Sequence, residues 1–179
     1  RSLNLSKNCV FLDVFSGTST VGQHFKKRGY TVYANDFLEF AYCLARTYIQ
    51  LNQIPEFKNL NKNGDVLNYL NNLKGEPGFI TKNYSPYRKN LRMFISVNNA
   101  KKVDSIRAKI EYWKSHNLIN SDEYYYLLTC LINAINLISN VTGTYAAYLK
   151  NWDKRALKEI KLEHAKIFDN GKKNLAIRE

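Results

Sequence analysis

Hydrophobic spacing changes character part-way along the chain. Cys9 to Phe15 is a short apolar run broken by one acid, with the β-branched and aromatic content of a buried strand, and it stops at Ser16-Gly17. Thr20 to Arg28 places Val21 and Phe25 at i, i+4, ends in Lys26, Lys27 and Arg28, and closes at Gly29, the pattern of a helix with an ordinary stop. Thr31-Val32-Tyr33-Ala34-Asn35 reads as a second strand ending at Asp36. Phe40 to Leu51 reads as a second helix with Ala41, Leu44, Ala45 and Tyr48 on one face. Strand, helix, strand, helix in that order predicts an α/β fold with a parallel sheet and crossover helices.

Near Gly75 this pattern ends. Beyond Pro77-Gly78, the stretch Thr81 to Asn98 is polar, basic and aromatic, and Pro86 with Tyr87-Arg88-Lys89-Asn90 predicts a loop. Asn99 to Ser115 carries Val103, Ile106, Ile110 and Trp113 at helical spacing. Ser121-Asp122-Glu123 opens a further helix with Leu127, Leu128, Leu131, Ile135 and Ile138 on its apolar face. The two are expected to pair as a helical hairpin through Asn117 to Asn120, with Tyr124-Tyr125-Tyr126 in its core and rim. The expected organisation is an α/β core over residues 1–75, a helical segment over 76–150 and a charged tail over 151–179.

Composition narrows the function. The 179 residues are 45% hydrophobic, enough for one domain or a domain with a small appendage. No stretch nears the roughly 20 apolar residues of a bilayer span, and Arg1 to Lys7 lacks the apolar region of a signal peptide. Cys9, Cys43 and Cys130 lie far apart, without metal-ligand spacing or a disulfide framework, and the expectation is a reduced, cytoplasmic protein. His24, His116 and His164 are scattered and read as surface or boundary residues. A net charge of +12 attracts polyanions at long range, which makes nucleic acid the leading partner class.

Chemistry concentrates in Phe11-Leu12-Asp13-Val14-Phe15-Ser16-Gly17-Thr18-Ser19-Thr20-Val21-Gly22, followed about 20 residues later by Asp36. A glycine at the first strand-to-helix turn lets backbone approach a ligand, and an acid after the second strand accepts ribose hydroxyl hydrogens. That pairing suits a nucleoside. A phosphate cradle would need a Gly-Lys-Ser/Thr ending or Gly-x-Gly-x-x-Gly, and only Gly17 and Gly22 are present. Asp65 reads as a helix N-cap, with contact to an adenine ring as the alternative.

The segment Asp13 to Gly22 resembles the cofactor loop of the amino-adenine DNA methyltransferases of bacterial restriction–modification systems, a D12-like class, and Tyr33-Ala34-Asn35-Asp36 resembles their second motif. Gly78 to Pro86, Asn98 to Arg107 and Thr142 to Lys150 are similar to further segments of that group, in the same order, so the resemblance runs from about Phe11 to Lys161. It implies a Rossmann-like core binding S-adenosylmethionine, with Asp13, Phe15, Ser16, Gly17, Thr18 and Ser19 lining the methionine end and Asp36 holding the ribose. It also implies an appended segment that recognises double-stranded DNA, for which the basic and aromatic stretch Lys82, Tyr84, Tyr87, Arg88, Lys89 and Arg92 is the candidate, with a solvated connection as the alternative. Lys150, Lys154, Arg155 and Lys158 either extend that surface or form an ordinary charged face.

Two departures from the family pattern stand out. Ser19 occupies the place of a second glycine, which matters if the backbone there needs positive φ. The family's catalytic Asp or Asn followed by Pro-Pro and an aromatic occurs nowhere, since Pro55, Pro77 and Pro86 are never adjacent, and Ser85-Pro86-Tyr87 lacks the acceptor side chain. The sequence is therefore read as the cofactor-binding and DNA-recognising part of an adenine-N6 methyltransferase. A missing segment or a second chain would supply the catalytic motif, and this chain alone would be inactive. The alternatives are a non-catalytic DNA-binding module with a degenerate nucleoside pocket and, further off, a nicotinamide-dependent oxidoreductase.

Overall fold

The computed structural model describes residues 6, 9–60, 65–143 and 147–179. In chain order the elements are β1 (Val10–Asp13), α1 (Thr20–Lys27), β2 (Thr31–Asn35), α2 (Glu39–Ala45), α3 (Val66–Asn71), α4 (Phe79–Tyr84), α5 (Val97–Ser115), α6 (Ser121–Ile138) and β3 (Leu175–Ile177). They fall into two compact units. The first takes in the described residues up to 56 with 120–129 and 165–179, and the second takes in 57–119 and 130–164. The end of the expected charged tail, residues 165–179, falls in the first unit and supplies its third strand, β3.

In the first unit β2 is central. It pairs in parallel with β1 (Val10↔Thr31 to Asp13↔Ala34) and with β3 (Tyr33↔Leu175 to Asn35↔Ile177), giving the order β1-β2-β3. Val32 and Ala34 of β2 are buried with Ala45, Ile49 and Ala176, and Phe11, Phe25 and Tyr42 pack against them. The Phe11 and Phe25 rings stack at 3.8 Å, which joins β1 to α1. Gly22 sits where α1 passes Ile49, and a Cβ there would lie 2.8 Å from Ile49 Cδ1, so a larger residue would have to displace that methyl group.

Local differences from the expected elements have visible causes. β1 stops at Asp13 rather than Phe15, because the Ser16 N–H donates to the Asn35 carbonyl at 2.9 Å and turns the chain. The helix expected over 40–51 is α-helical only to Ala45. Arg46–Gln50 then widens into a π turn, and Lys26 Nζ donates to the carbonyls of Tyr48 and Leu51 at its end. β3 is fixed by buried asparagine: Asn174 Oδ1 accepts the Val32 N–H at 3.0 Å, and Asn170 Nδ2 donates to the Tyr30 carbonyl at 2.7 Å.

In the second unit Asp65 is the N-cap of α3, its Oδ1 accepting the Leu67 N–H at 2.9 Å, while Oδ2 lies 3.3 Å from His164 Nε2. The stretch expected to be a loop from Thr81 begins instead inside a helix, α4. A carboxylate on α5 makes this possible: Asp104 accepts the N–H groups of Gly78, Ile80 and Thr81 at 2.8–2.9 Å and the Thr81 hydroxyl at 2.6 Å, satisfying donors that a helix start leaves unpaired. α5 buries Ala100, Val103, Ile106, Ile110 and Trp113 on one face, and Trp113 meets Tyr69 of α3 with ring centroids 5.7 Å apart. Asn140 is fully buried. Its Nδ2 donates to the Met93 and Leu149 carbonyls and its Oδ1 accepts the Asp153 N–H, so one side chain ties three segments.

No disulfide joins Cys9, Cys43 or Cys130, and no cluster of metal-ligating side chains occurs among the described residues. Among the described residues no helix is long and apolar enough to cross a membrane.

Candidate functional site

The turn between β1 and α1 is built around two left-handed residues. Gly17 has φ 49° and Ser19 φ 60°, and the Ser19 N–H closes the turn on the Ser16 carbonyl at 2.7 Å. A side chain at Gly17 would have room but not a relaxed backbone, so the conformation favours glycine. Ser19, which takes the place of the second glycine, does sit at positive φ, a conformation that costs a side-chain-bearing residue about 1 kcal/mol.

Asp36, at the end of β2, holds this turn. Its Oδ2 accepts the Gly17 N–H at 2.8 Å and its Oδ1 accepts the Leu38 N–H at 3.0 Å, and the side chain is largely buried. Asp13 stands at the end of the neighbouring strand, in register with Ala34. Burial pushes its carboxyl above the usual carboxylate range, the Gly22 N–H opposes that shift, and the charge of Asp36 adds to it. Thr18 Oγ1 lies 2.9 Å from Thr20 Oγ1 at the mouth of the turn.

Ser16 and Ser19 are buried, and neither hydroxyl has a hydrogen-bond partner among the described residues. Buried polar atoms are nearly always satisfied, so two orphans in one four-residue turn leave two hydroxyls able to meet further polar atoms. Phe15 and Phe37 follow the two strands and are 88% and 76% exposed, offering apolar surface beside the polar turn. Asp13, Ser16, Gly17, Ser19 and Asp36 thus gather at the C-terminal ends of two parallel strands, where open α/β sheets bind ligands. Residues 13–20 contain an acid and four hydroxyls but no Lys or Arg, a set suited to ribose hydroxyls and an ammonium rather than to phosphate.

The basic stretch lies in the second unit. Lys82 and Tyr84 are on α4, and Arg88, Lys89 and Arg92 follow on the connection to α5. Lys82, Arg88, Lys89 and Arg92 are exposed. Tyr84 is also exposed, and its ring lies beside Phe79 and Phe94, at 6.1 and 5.9 Å between centroids. Tyr87 lies under the Arg88 guanidinium at 5.2 Å and the Lys101 ammonium at 5.8 Å, so its ring is engaged by cations. Arg155 is paired with Asp153 at 3.7 Å. Asp104, which starts α4, and Asn140, which holds Met93, position this stretch. Neither was distinguishable from other polar residues in the sequence, because their partners lie 23–26 and 47 residues away.

A small parallel sheet, with a glycine turn after its first strand held by an acid after the second, defines a mixed α/β protein. The chain belongs to the D12 class of N6 adenine-specific DNA methyltransferases, whose family model matches residues 3–179. Among curated proteins it is 47% identical over 175 residues to the modification methylase StsI of Streptococcus sanguinis, covering 95% of this chain and 26% of that protein. It is 48% identical over 166 residues to the type II methyltransferase M.FokI of Planomicrobium okeanokoites (90% and 26%), and 38% identical over 162 residues to M.NlaIII of Neisseria lactamica (90% and 47%). The chain therefore spans between a quarter and a half of the length of these relatives. No solved structure matches it.

Proposed function

We propose that this chain is the S-adenosylmethionine-binding and DNA-recognising part of a site-specific methyltransferase acting on N6 of adenine in a restriction–modification system. The observation that carries the reading is the turn at residues 16–19, with its two left-handed residues, its two buried hydroxyls without partners and its backbone tied to Asp36. Family membership supports the same methyl donor, and the relatives named above are modification methylases.

Asp13, Phe15, Ser16, Gly17, Thr18 and Ser19 line the methionine end of the cofactor. The hydroxyls of Ser16 and Ser19 meet its polar atoms, and the absence of a Cβ at Gly17 keeps the backbone accessible. Asp36 has about four acceptor positions on its two oxygens, of which two are taken by Gly17 and Leu38, and the others accept the ribose hydroxyl hydrogens. Bound there, S-adenosylmethionine supplies an electrophilic methyl group on sulfur. Lys82, Arg88, Lys89 and Arg92 hold the phosphates of double-stranded DNA and fix its register, while Tyr84 is exposed in the same stretch. Acceptors for the adenine amino hydrogens come from a catalytic motif outside these 179 residues or on a second chain, since the Pro-Pro motif is not in the sequence. The reducing cytoplasm suits three cysteines that form no disulfide and a DNA substrate.

Calorimetric and thermal-melt titration with S-adenosylmethionine tests this reading, with Ser16→Ala as the variant. A ligand that binds only the folded chain adds about 2.7 kcal/mol at 100 times its dissociation constant. Ser16→Ala should melt at or above the wild-type temperature, because it removes an unpartnered buried hydroxyl, yet bind the cofactor more weakly. DNA binding with no response to the cofactor would favour the degenerate module instead.

A further inference from the structure

Leu91 stands out in the basic stretch of the second unit. Its side chain is 80% exposed, more than any other large apolar side chain described in that unit. An exposed leucine in a mobile loop needs no explanation, but this one is held. The Asn90 side chain spans the base of the turn, Nδ2 donating to the Lys82 carbonyl at 2.8 Å and Oδ1 accepting the Arg92 N–H at 3.0 Å. The Asn90 N–H donates to the Tyr87 carbonyl at 3.2 Å, and Arg92 Nη1 donates to the Asn83 carbonyl at 3.2 Å. Arg88 takes a left-handed conformation (φ 57°) that turns the chain before the leucine. The result is an apolar tip on a hydrogen-bonded base, with the exposed cations Arg88, Lys89 and Arg92 on both sides of it in sequence.

We propose that Leu91 is a wedge that enters the base stack of duplex DNA while the flanking cations hold the phosphates on either side. This rests on the reading of the chain as the DNA-handling part of an adenine methyltransferase. An apolar side chain between base steps unstacks the duplex locally, which is what turning a base out of the helix requires, and the charge around the leucine favours a polyanion over an apolar protein surface. Fixing the backbone beforehand lowers the ordering cost of insertion.

Fluorescence anisotropy with the full chain tests the proposal, using a 20-base-pair duplex and the same duplex carrying one abasic site, where stacking is already interrupted. Wild type should prefer the abasic duplex by about tenfold, since the stack is already interrupted there. Leu91→Ser should bring that ratio close to one while leaving affinity for the intact duplex within about twofold, because the phosphate contacts remain. Leu91→Phe should keep the preference. Equal ratios for wild type and Leu91→Ser overturn the wedge but leave the DNA reading standing, whereas absence of binding to both duplexes overturns both. A change of sedimentation with Leu91→Ser, at an unchanged ratio, assigns the leucine to a protein contact and overturns the proposal.

Discussion

Asp36 Oδ2 accepts the Gly17 N–H at 2.8 Å, so the acid that ends β2 sets the backbone of the turn that ends β1. The residue proposed to hold the ribose therefore also shapes the loop proposed to line the methionine end. An Asp36→Asn side chain can accept only one of the two N–H bonds well, because its nitrogen faces a donor. The expected cost is about 2 kcal/mol of stability, read by urea unfolding, for the loss of one charge-assisted bond. Cofactor affinity should fall with it.

Ser19→Gly should act in the opposite direction. The substitution removes a left-handed side-chain-bearing residue at φ 60° and a buried hydroxyl without a partner among the described residues. A net gain of about 1 kcal/mol is expected, part of the relief being offset by the greater freedom of glycine in the unfolded chain. A shift of the urea midpoint upward with an unchanged slope checks it.

Lys26 is fully buried, and burial pushes its ammonium down from 10.5 to about 8, against the opposing charge of Asp169. The unfolded chain then binds more protons than the folded chain between those two values, so this group makes stability rise with pH from about 8 to 10.5. Below pH 8 the folded protein carries the cost of the buried charge, at most about 3 kcal/mol. The measurement is the stability difference between wild type and Lys26→Met across that window. It should move in favour of wild type as pH rises, and a difference independent of pH would contradict the assignment.

Arg88 and Lys89 are exposed and proposed to meet phosphates. Replacing both by alanine should weaken binding to every duplex sequence alike and make the plot of log K against log salt shallower by about 1.8, from two released counterions each worth about 0.9. A loss of affinity that leaves the slope unchanged would argue against phosphate contact.

What could be read from the sequence was local. β2 was legible because Thr31 to Asn35 is β-branched and aromatic and is bounded by Gly29 and Asp36, and α1 because its apolar pair and basic end precede a glycine. The acid–glycine spacing singled out the turn and Asp36 as contacts to a nucleoside, and gave no sign of the hydrogen bond between them. β3 was not legible, since Leu175–Ile177 is three residues between Lys172-Lys173 and Arg178-Glu179, too short for any period. α4 was hidden for a different reason: its first N–H groups are satisfied by Asp104, more than 20 residues further on, and not by a local cap. The positive φ of Ser19 followed from no residue preference, because serine gives no sign of it.

The placement of β3 sets a schedule for synthesis. Val32 receives its side-chain acceptor from Asn174, 142 residues later, and β2 gains its second neighbour only when Leu175 to Ile177 emerges. At ribosomal rates of about 5–20 residues per second, the β1–β2 pair waits roughly 7–28 s with one edge of β2 bare. The residues of the second unit are translated in that interval and can collapse while the sheet remains two strands wide. Completion of the sheet is thus a late event in the life of the nascent chain, and the bare edge is where a foreign strand would compete for pairing with β2.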